Sequence, residues 1–376
     1  MIFSKDVPLW CLGFMSGTSM DGIDGGILKT DGRTLLEFGP KISVKFESTL
    51  QKKLFSLKGK HILSDEDYQI IREFTQTHID LTLKIKNAFE KNHPKEQISL
   101  IGFHGQTLFH KPKNRQTLQV GDAELLATKT GIPVINQFRL NDLFHGGQGA
   151  PLIPIFHQAL AQKTNLNPFI FINIGGVSNI TYGNQELLLA GDSGPGGALV
   201  DDCCKEYFDI PFDQDGHLAR KGQINNSLIQ GFLKDPFFKN SFPKSLDRDH
   251  FNSFKEQVKN NLSSPHDALA TLTFATVSSL LVSLKKLPSL PGNIYLMGGG
   301  AYNTYLKELL DQELSHLGCT SALLQDLDNQ LDPLYVEAYG FAYLAVRTLY
   351  QLPISFPSTT GVSHPVSGGV LTMPTV

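Results

Sequence analysis

Residues 12–24 read LGFMSGTSMDGID, an apolar run that breaks at Ser16, Gly17, Thr18 and Ser19 and resumes with alternation from Ile23. The pattern predicts strand, tight turn, strand, with hydroxyls and backbone amides at the tip. Consecutive amides in such a turn form a small concavity that holds anions. Gly17 lets a ligand approach the backbone closely. A phosphate beside Asp21 would be repelled unless a cation lay between them. The letters therefore point to a metal–nucleotide complex, with Asp21 as the candidate metal ligand. An ordinary polar hairpin fits the same spacing.

The chain's 376 residues favour two domains over one. With 41% hydrophobic and 18% charged residues the chain can bury a core and is not disordered. A net charge of −3 favours neither nucleic acid nor an anionic membrane as partner. The four cysteines, Cys11, Cys203, Cys204 and Cys319, lack the spacing of a zinc site or a disulfide framework. Buried thiols in a reducing compartment are expected, hence a cytoplasmic protein. The first apolar run is too short and interrupted for a signal peptide or a membrane span. No internal repeat is visible.

Thr34 to Phe46 reads as a further strand pair. Ser64 caps a long helix whose apolar positions Ile71, Phe74, His78, Leu81, Ile85 and Phe89 step by threes and fours. A buried strand at residues 99–103 runs into His104-Gly105-Gln106-Thr107. Residues 136–154, NQFRLNDLFHGGQGAPLIP, read as a long functional loop near a domain boundary. A strand over 168–174 ends in Gly175-Gly176, and one over 187–190 leads into Gly191-Asp192-Ser193-Gly194-Pro195-Gly196-Gly197. Residues 209–260 give a weak signal, read as short helices walling a pocket. A buried helix covers 267–285, and a strand over 293–297 enters Gly298-Gly299-Gly300, followed directly by a helix from Asn303. Strands alternating with helices argue for an α/β fold.

Three glycine turns after strands suit a nucleotide, and a glycine run at a helix N-terminus suits a phosphate. The phosphate-loop motif GxxxxGK[ST] is absent, as are GxGxxG, HExxH and GxSxG. Asp192 is the candidate base, a carboxylate leaving a strand at a rigid turn; a turn-forming aspartate fits equally. Arg139 and Asp142, three apart, bind a phosphate or carboxylate or pair with each other. His104, His145 and His157 carry no zinc spacing. Glu337 heads a helix, where it complements the dipole.

Taken together, GFMSGTSMDGID, IGFHGQT, QVGD, NQFRLNDLFHGGQGAPLIPIFH, INIGGVSNIT, GDSGPGG, MGGGAYN, VEAYGFAYLA and PSTTGVSHPV resemble the anhydro-N-acetylmuramic acid kinase family over nearly the whole chain. The resemblance implies a two-domain actin-like ATPase fold, ribonuclease H-like, with an interdomain cleft. The expected division is 1–140 plus 345–376 against 141–344. It implies ATP and Mg2+ as cofactors. It also implies a reaction in which 1,6-anhydro-N-acetylmuramic acid, ATP and water give N-acetylmuramic acid 6-phosphate and ADP. Gly17, Thr18, Ser19, Met20, Asp21, Gly22, Ile23 and Asp24 would hold the phosphates, with Gly175, Gly176, Gly298, Gly299 and Gly300 completing the nucleotide site. Asp192 would be the general base. His104, Gln106, Arg139, Asp142 and Glu337 would bind the sugar. A homodimer is implied. Where the family has DTGPGN, Ser193 replaces Thr and Gly197 replaces Asn, which bears on sugar affinity more than on reaction class. An ordinary sugar kinase and a nucleotide-gated binding protein are the alternatives.

Overall fold

The structure, a computed structural model, describes residues 6–17 and 20–375. The chain divides into two compact units, one running to Lys163 and resuming at Tyr335, the other spanning Thr164–Leu334. The division falls later than 140 and earlier than 344 because the helices Pro154–Lys163 and Val336–Leu349 pack on elements of the first unit.

Numbered along the chain, the strands are β1 (Leu9–Met15), β2 (Gly22–Thr30), β3 (Leu35–Lys45), β4 (Ile98–Phe103), β5 (Gln106–Lys111), β6 (Gln116–Val120), β7 (Val134–Asn136), β8 (Phe169–Ile174), β9 (Val177–Gly183), β10 (Leu188–Pro195), β11 (Asn293–Met297), β12 (Thr320–Leu323) and β13 (Val370–Thr372). The first unit's sheet has the order β13-β7-β4-β1-β2-β3, and the second unit's has β10-β9-β8-β11-β12. In each, an opening strand makes two antiparallel hairpin steps on one side. Two parallel strands then join the opening strand's other edge. With the edge strand β13 set aside, both sheets have the strand order 3-2-1-4-5 of the ribonuclease H-like fold. The two units are thus duplicates in topology, a duplication that the letters do not display.

Local signals explain the main elements. The helix Asp65–Asn92 begins at a capping box in which Ser64 and Asp67 satisfy each other's backbone amides. Its residues Ile71, Phe74, His78, Leu81, Ile85 and Phe89 are all buried. Burial pushes the His78 imidazole down to about 4. His78 is therefore neutral at pH 7, donates from Nδ1 to Phe74 O, and packs among Phe14, Phe74 and Phe103. The stretch read as a strand pair over 34–46 forms instead the single strand β3, Leu35–Lys45, on β2. The helix Ser48–Leu57, which buries Leu50, Leu54 and Leu57, follows it without a capping side chain to announce it. The helix Pro265–Leu284 is long and apolar enough to cross a membrane by composition alone, yet it is mostly buried inside the second unit.

A row of glycines crosses the first sheet. Gly13 on β1 lies opposite Gly26 on β2 and Gly102 on β4. A Cβ on Gly13 would lie 1.9 Å from Ala338 O, one on Gly102 2.2 Å from Phe341 O, and one on Gly26 2.8 Å from the Tyr339 ring. The helix Val336–Leu349 therefore rests directly on the strand backbones, and that seat fixes Glu337 in its first turn.

Candidate active site

In the second unit, Asp192 lies within β10, paired with Asn179 of β9. The expected turn is displaced, because β10 continues as far as Pro195. A segment from the weakly patterned region runs beside it. Asp192 N–H donates to Lys244 O at 2.8 Å. Leu246 N–H donates to Asp192 Oδ2 at 2.6 Å. Gly191 permits this approach, since a Cβ there would meet Lys244 O at 2.8 Å and the Phe242 ring at 2.9 Å. Asp192 is half-buried, and its Oδ1 has no hydrogen bond to a described residue. Burial pushes its carboxyl up to about 7, against the opposing pull of the Leu246 amide and the Lys244 charge. A carboxylate clamped through one oxygen, with a pKa near neutrality, suits proton abstraction.

Four residues on from Asp192 begins a cavity of about 420 Å³, walled in part by Gly175, Gly196, Gly197, Gly299 and Gly300. The structure thus brings two of the three expected glycine turns together. Gly298 adopts φ +81°, and a Cβ there would lie 2.3 Å from Asn173 Oδ1. Gly299 faces open space, so a side chain would extend where a ligand fits. The glycine run does not open the next helix directly. A 3-10 turn, Gly299–Tyr302, intervenes, and Asn303 caps the helix Thr304–Ser315 by accepting from Leu306 N–H. Asp201, Phe212, Asp213, Gln214, Asp215 and Tyr302 also line the cavity. Tyr302 belongs to the MGGGAYN run, whereas the other five did not stand out in the sequence, because they lie in segments without motif letters. Burial, together with neighbouring Asp202, pushes the Asp201 carboxyl up to about 7.

In the first unit the expected phosphate turn lies between β1 and β2; Thr18 and Ser19 fall outside the described residues. Met20 N–H donates to Gly17 O at 3.1 Å. Met20 and Ile23 have buried side chains, so any ligand contact from them is through backbone. A Cβ on Gly22 would meet Val44 O at 2.6 Å. Asp21 is exposed, and Asp24 pairs with Met15 and Ser43 within the sheet.

Around this turn sit most of the expected sugar-binding residues. Gln106 donates its amide to Gly17 O at 3.1 Å, while its buried Oε1 has no partner among the described residues. Because the acceptor is a carbonyl, the amide orientation is fixed, and Oε1 remains available to a donor. Arg139 donates to His104 Nε2 from Nε at 3.1 Å and Nη2 at 2.9 Å, and to Gly149 O from Nη1 at 2.7 Å. His104 is therefore neutral, with its proton on Nδ1 donated to Gly105 O. Burial and the Arg139 charge both hold its pKa well down. Glu337 is raised by burial and by Asp24, and lowered by Arg139. The three charged side chains are thus electrostatic neighbours.

Asp142 departs from expectation. It is fully buried; Oδ1 accepts from Gly149 N–H at 2.5 Å and Oδ2 from Thr360 Oγ1 at 2.5 Å. Both oxygens are bonded inside the protein, so Asp142 shapes residues 142–149 rather than presenting a carboxylate to a sugar. No ion pair closes between it and Arg139 among the described residues, and the supposed loop contains a short helix, Leu140–Phe144.

The anhydro-N-acetylmuramic acid kinase family profile matches residues 9–374. A protein of that name from Rhodopseudomonas palustris strain HaA2 is 38% identical, covering 96% of this chain and 99% of the relative. Namesakes from Brucella suis, 39% identical over 96% and 98%, and Rhizobium etli, 36% identical over 98% and 100%, match as fully. With matches that span nearly the whole chain, it belongs to the anhydro-N-acetylmuramic acid kinase family.

Proposed function

We propose that this protein is an ATP-dependent kinase that opens 1,6-anhydro-N-acetylmuramic acid with water and phosphorylates O6, giving N-acetylmuramic acid 6-phosphate and ADP. The observation that carries the reading is the geometry of Asp192: one carboxylate oxygen is clamped by the Leu246 amide and the other is unbonded among the described residues, in surroundings whose burial raises its pKa. Opening an acetal by hydrolysis ordinarily takes a base for the water and an acid for the departing oxygen. Here the departing O6 stays on the sugar and takes the terminal phosphoryl group, which removes the need for the acid. One base is then sufficient. Asp192 takes a proton from water, the water oxygen bonds to C1, the C1–O6 bond breaks, and O6 bonds to phosphorus as ADP leaves.

The cavity of about 420 Å³ with its glycine wall fits the nucleoside of ATP. The turn around Gly17 and the backbone of residues 20–24 are proposed to hold phosphate oxygens. Among the described residues no group of three His, Cys, Asp or Glu is placed to chelate a metal. A magnesium ion would then take most of its ligands from phosphate and water, with Asp21 as the protein's candidate carboxylate. The ion supplies charge neutralisation at the phosphates. Glu337, Arg139, His104 and Gln106 Oε1 are the proposed polar contacts to the sugar. The family resemblance supports a homodimer, and four buried free thiols support a reducing compartment such as the cytoplasm.

Incubation with ATP, Mg2+ and the anhydro sugar, read by mass spectrometry, should yield the 6-phosphate and ADP in equal amounts. Phosphorylation of ordinary hexosamines with the anhydro sugar untouched would indicate a conventional sugar kinase. ATP binding with no phosphorylated sugar would indicate a binding protein.

A further inference from the structure

Lys244 is placed unlike any other lysine described here. Its residue is 5% exposed, and its Nζ is buried with no hydrogen-bond partner among the described residues. No ion pair involves it among the described residues. Instead the ammonium stands 4.0 Å from the centre of the Phe237 ring, 5.7 Å from Phe242 and 5.9 Å from Phe238. Burying an unpaired charge is costly, and ring faces repay only part of that cost. A methionine of similar length would be at least as stable there. Packing alone therefore gives no reason for a lysine.

The backbone around Lys244 does give one. Its carbonyl accepts from Asp192 N–H, and two residues on, Leu246 N–H donates to the Asp192 carboxylate. The segment is pressed against Gly191 and anchored by Lys286, whose Nζ donates to Phe238 O at 2.5 Å and Asn240 O at 2.7 Å. We propose that Lys244 is a positioning residue for Asp192: the segment it sits on clamps the carboxylate, and its sequestered ammonium is the fixed counter-charge that holds that carboxylate ionised. This deepens, and rests on, the reading of Asp192 as the base.

The charged surroundings are few. β9 presents Asn179 opposite Asp192, the segment presents Lys244, and Lys286, just beyond the helix Pro265–Leu284, faces Lys244. Lys286 and burial bring the Lys244 ammonium down to about 8, while Asp192 pulls it up. The charges on Lys244 and Asp192 therefore coexist only in a narrow range near neutral pH. Activity should fall on the acid side as Asp192 protonates.

The test is a carbon-13 titration of the Asp192 carboxyl, assigned by difference from Asp192→Asn, beside the pH profile of kcat/KM. In Lys244→Met the Asp192 midpoint and the acid limb should both rise by about half to one pH unit, the size of a nearby but non-contacting charge. The thermal midpoint should hold or increase. Lys244→Arg should restore the wild-type midpoint. Reciprocity supplies a check that leaves Lys244 intact, so it stands even if Lys244→Met fails to fold. In Asp192→Asn the Lys244 titration, read by nitrogen-15 at Nζ, should fall by the same amount. An Asp192 midpoint unmoved in Lys244→Met, or a Lys244 midpoint unmoved in Asp192→Asn, overturns the proposal. The titrations do not use turnover. If Asp192→Asn stays active while the midpoints move, the base assignment fails and the charge coupling stands.

Discussion

Asp192→Asn folds, binds ATP and loses turnover by a factor on the order of 10²–10⁴ or more, the usual size of base catalysis. The substitution keeps the shape of the side chain and can still accept the Leu246 N–H bond, so the clamp on β10 survives. What it removes is the ability to take a proton from water. Near-normal turnover in this variant, with ATP binding by calorimetry unchanged, would take Asp192 out of the role. The same variant carries a stability signature of definite sign. The folded Asp192 holds its proton up to about 7, whereas an unfolded aspartate loses it near 3.8. Between those values the folded state binds a proton that the unfolded state has released. The contribution of Asp192 to stability is therefore full below the unfolded pKa and is lost as pH rises through the folded one. Asparagine has no proton to lose. Asp192→Asn should then be more stable than the wild type at pH 8, by on the order of 2–4 kcal/mol, and the difference should close toward pH 4. A gain in thermal midpoint alongside a collapse of activity identifies a residue kept for chemistry at the expense of stability.

Gly13→Ala should be the most destabilising single methyl addition in the first unit. Its Cβ would lie 1.9 Å from Ala338 O and 2.4 Å from Ala342 N, both backbone atoms of a packed helix. Neither can turn aside as a side chain would. The helix Val336–Leu349 must lift off the sheet or the strand must bend, at a cost of about 3 kcal/mol or more, the upper end for overpacking. Gly102→Ala, against Phe341 O, should behave alike and combine non-additively, since both displace one helix. Gly231→Ala is the control. No atom lies within 4 Å of its Cβ and it sits in a helix, so stability should hold or improve slightly. Thermal denaturation of the three variants checks the order. Because Glu337 rides on the first turn of that helix, a surviving Gly13→Ala protein should also bind the sugar more weakly.

Much of the fold is legible in the letters where a local rule acts alone. The Ser64 capping box and the threefold–fourfold spacing of the next helix are complete within its own residues. The hairpin from residue 12 is legible for the same reason, as are the strands that end at Gly175 and Gly298. What escapes the letters is what depends on a distant partner. Gly13, Gly26 and Gly102 look like ordinary strand glycines until a helix more than 230 residues further on covers them. Asp192 reads as a turn residue because Gly and Pro follow it, but pairing with β9 carries the strand past it. Lys244 and Leu246 lie in a stretch with no periodicity, because they are organised by β10 and not by each other. Asp142 has the composition of a binding residue, and only the amide of Gly149 and the hydroxyl of Thr360 reveal that its oxygens are engaged. The duplicated 3-2-1-4-5 order leaves no trace in the sequence, since backbone pairing constrains topology and tolerates almost any alternation of apolar residues.

The proposed reaction drives water onto C1 while O6 leaves for phosphorus. The direct measurement is a single turnover in oxygen-18 water with ATP, Mg2+ and the anhydro sugar, quenched before the new hemiacetal exchanges its oxygen with solvent and read by fragment mass spectrometry against the preformed 6-phosphate as exchange control. One labelled oxygen on C1 and none in the phosphate is the predicted result. Label in the phosphate, with C1 unlabelled, would mean that water attacks phosphorus, and would contradict it.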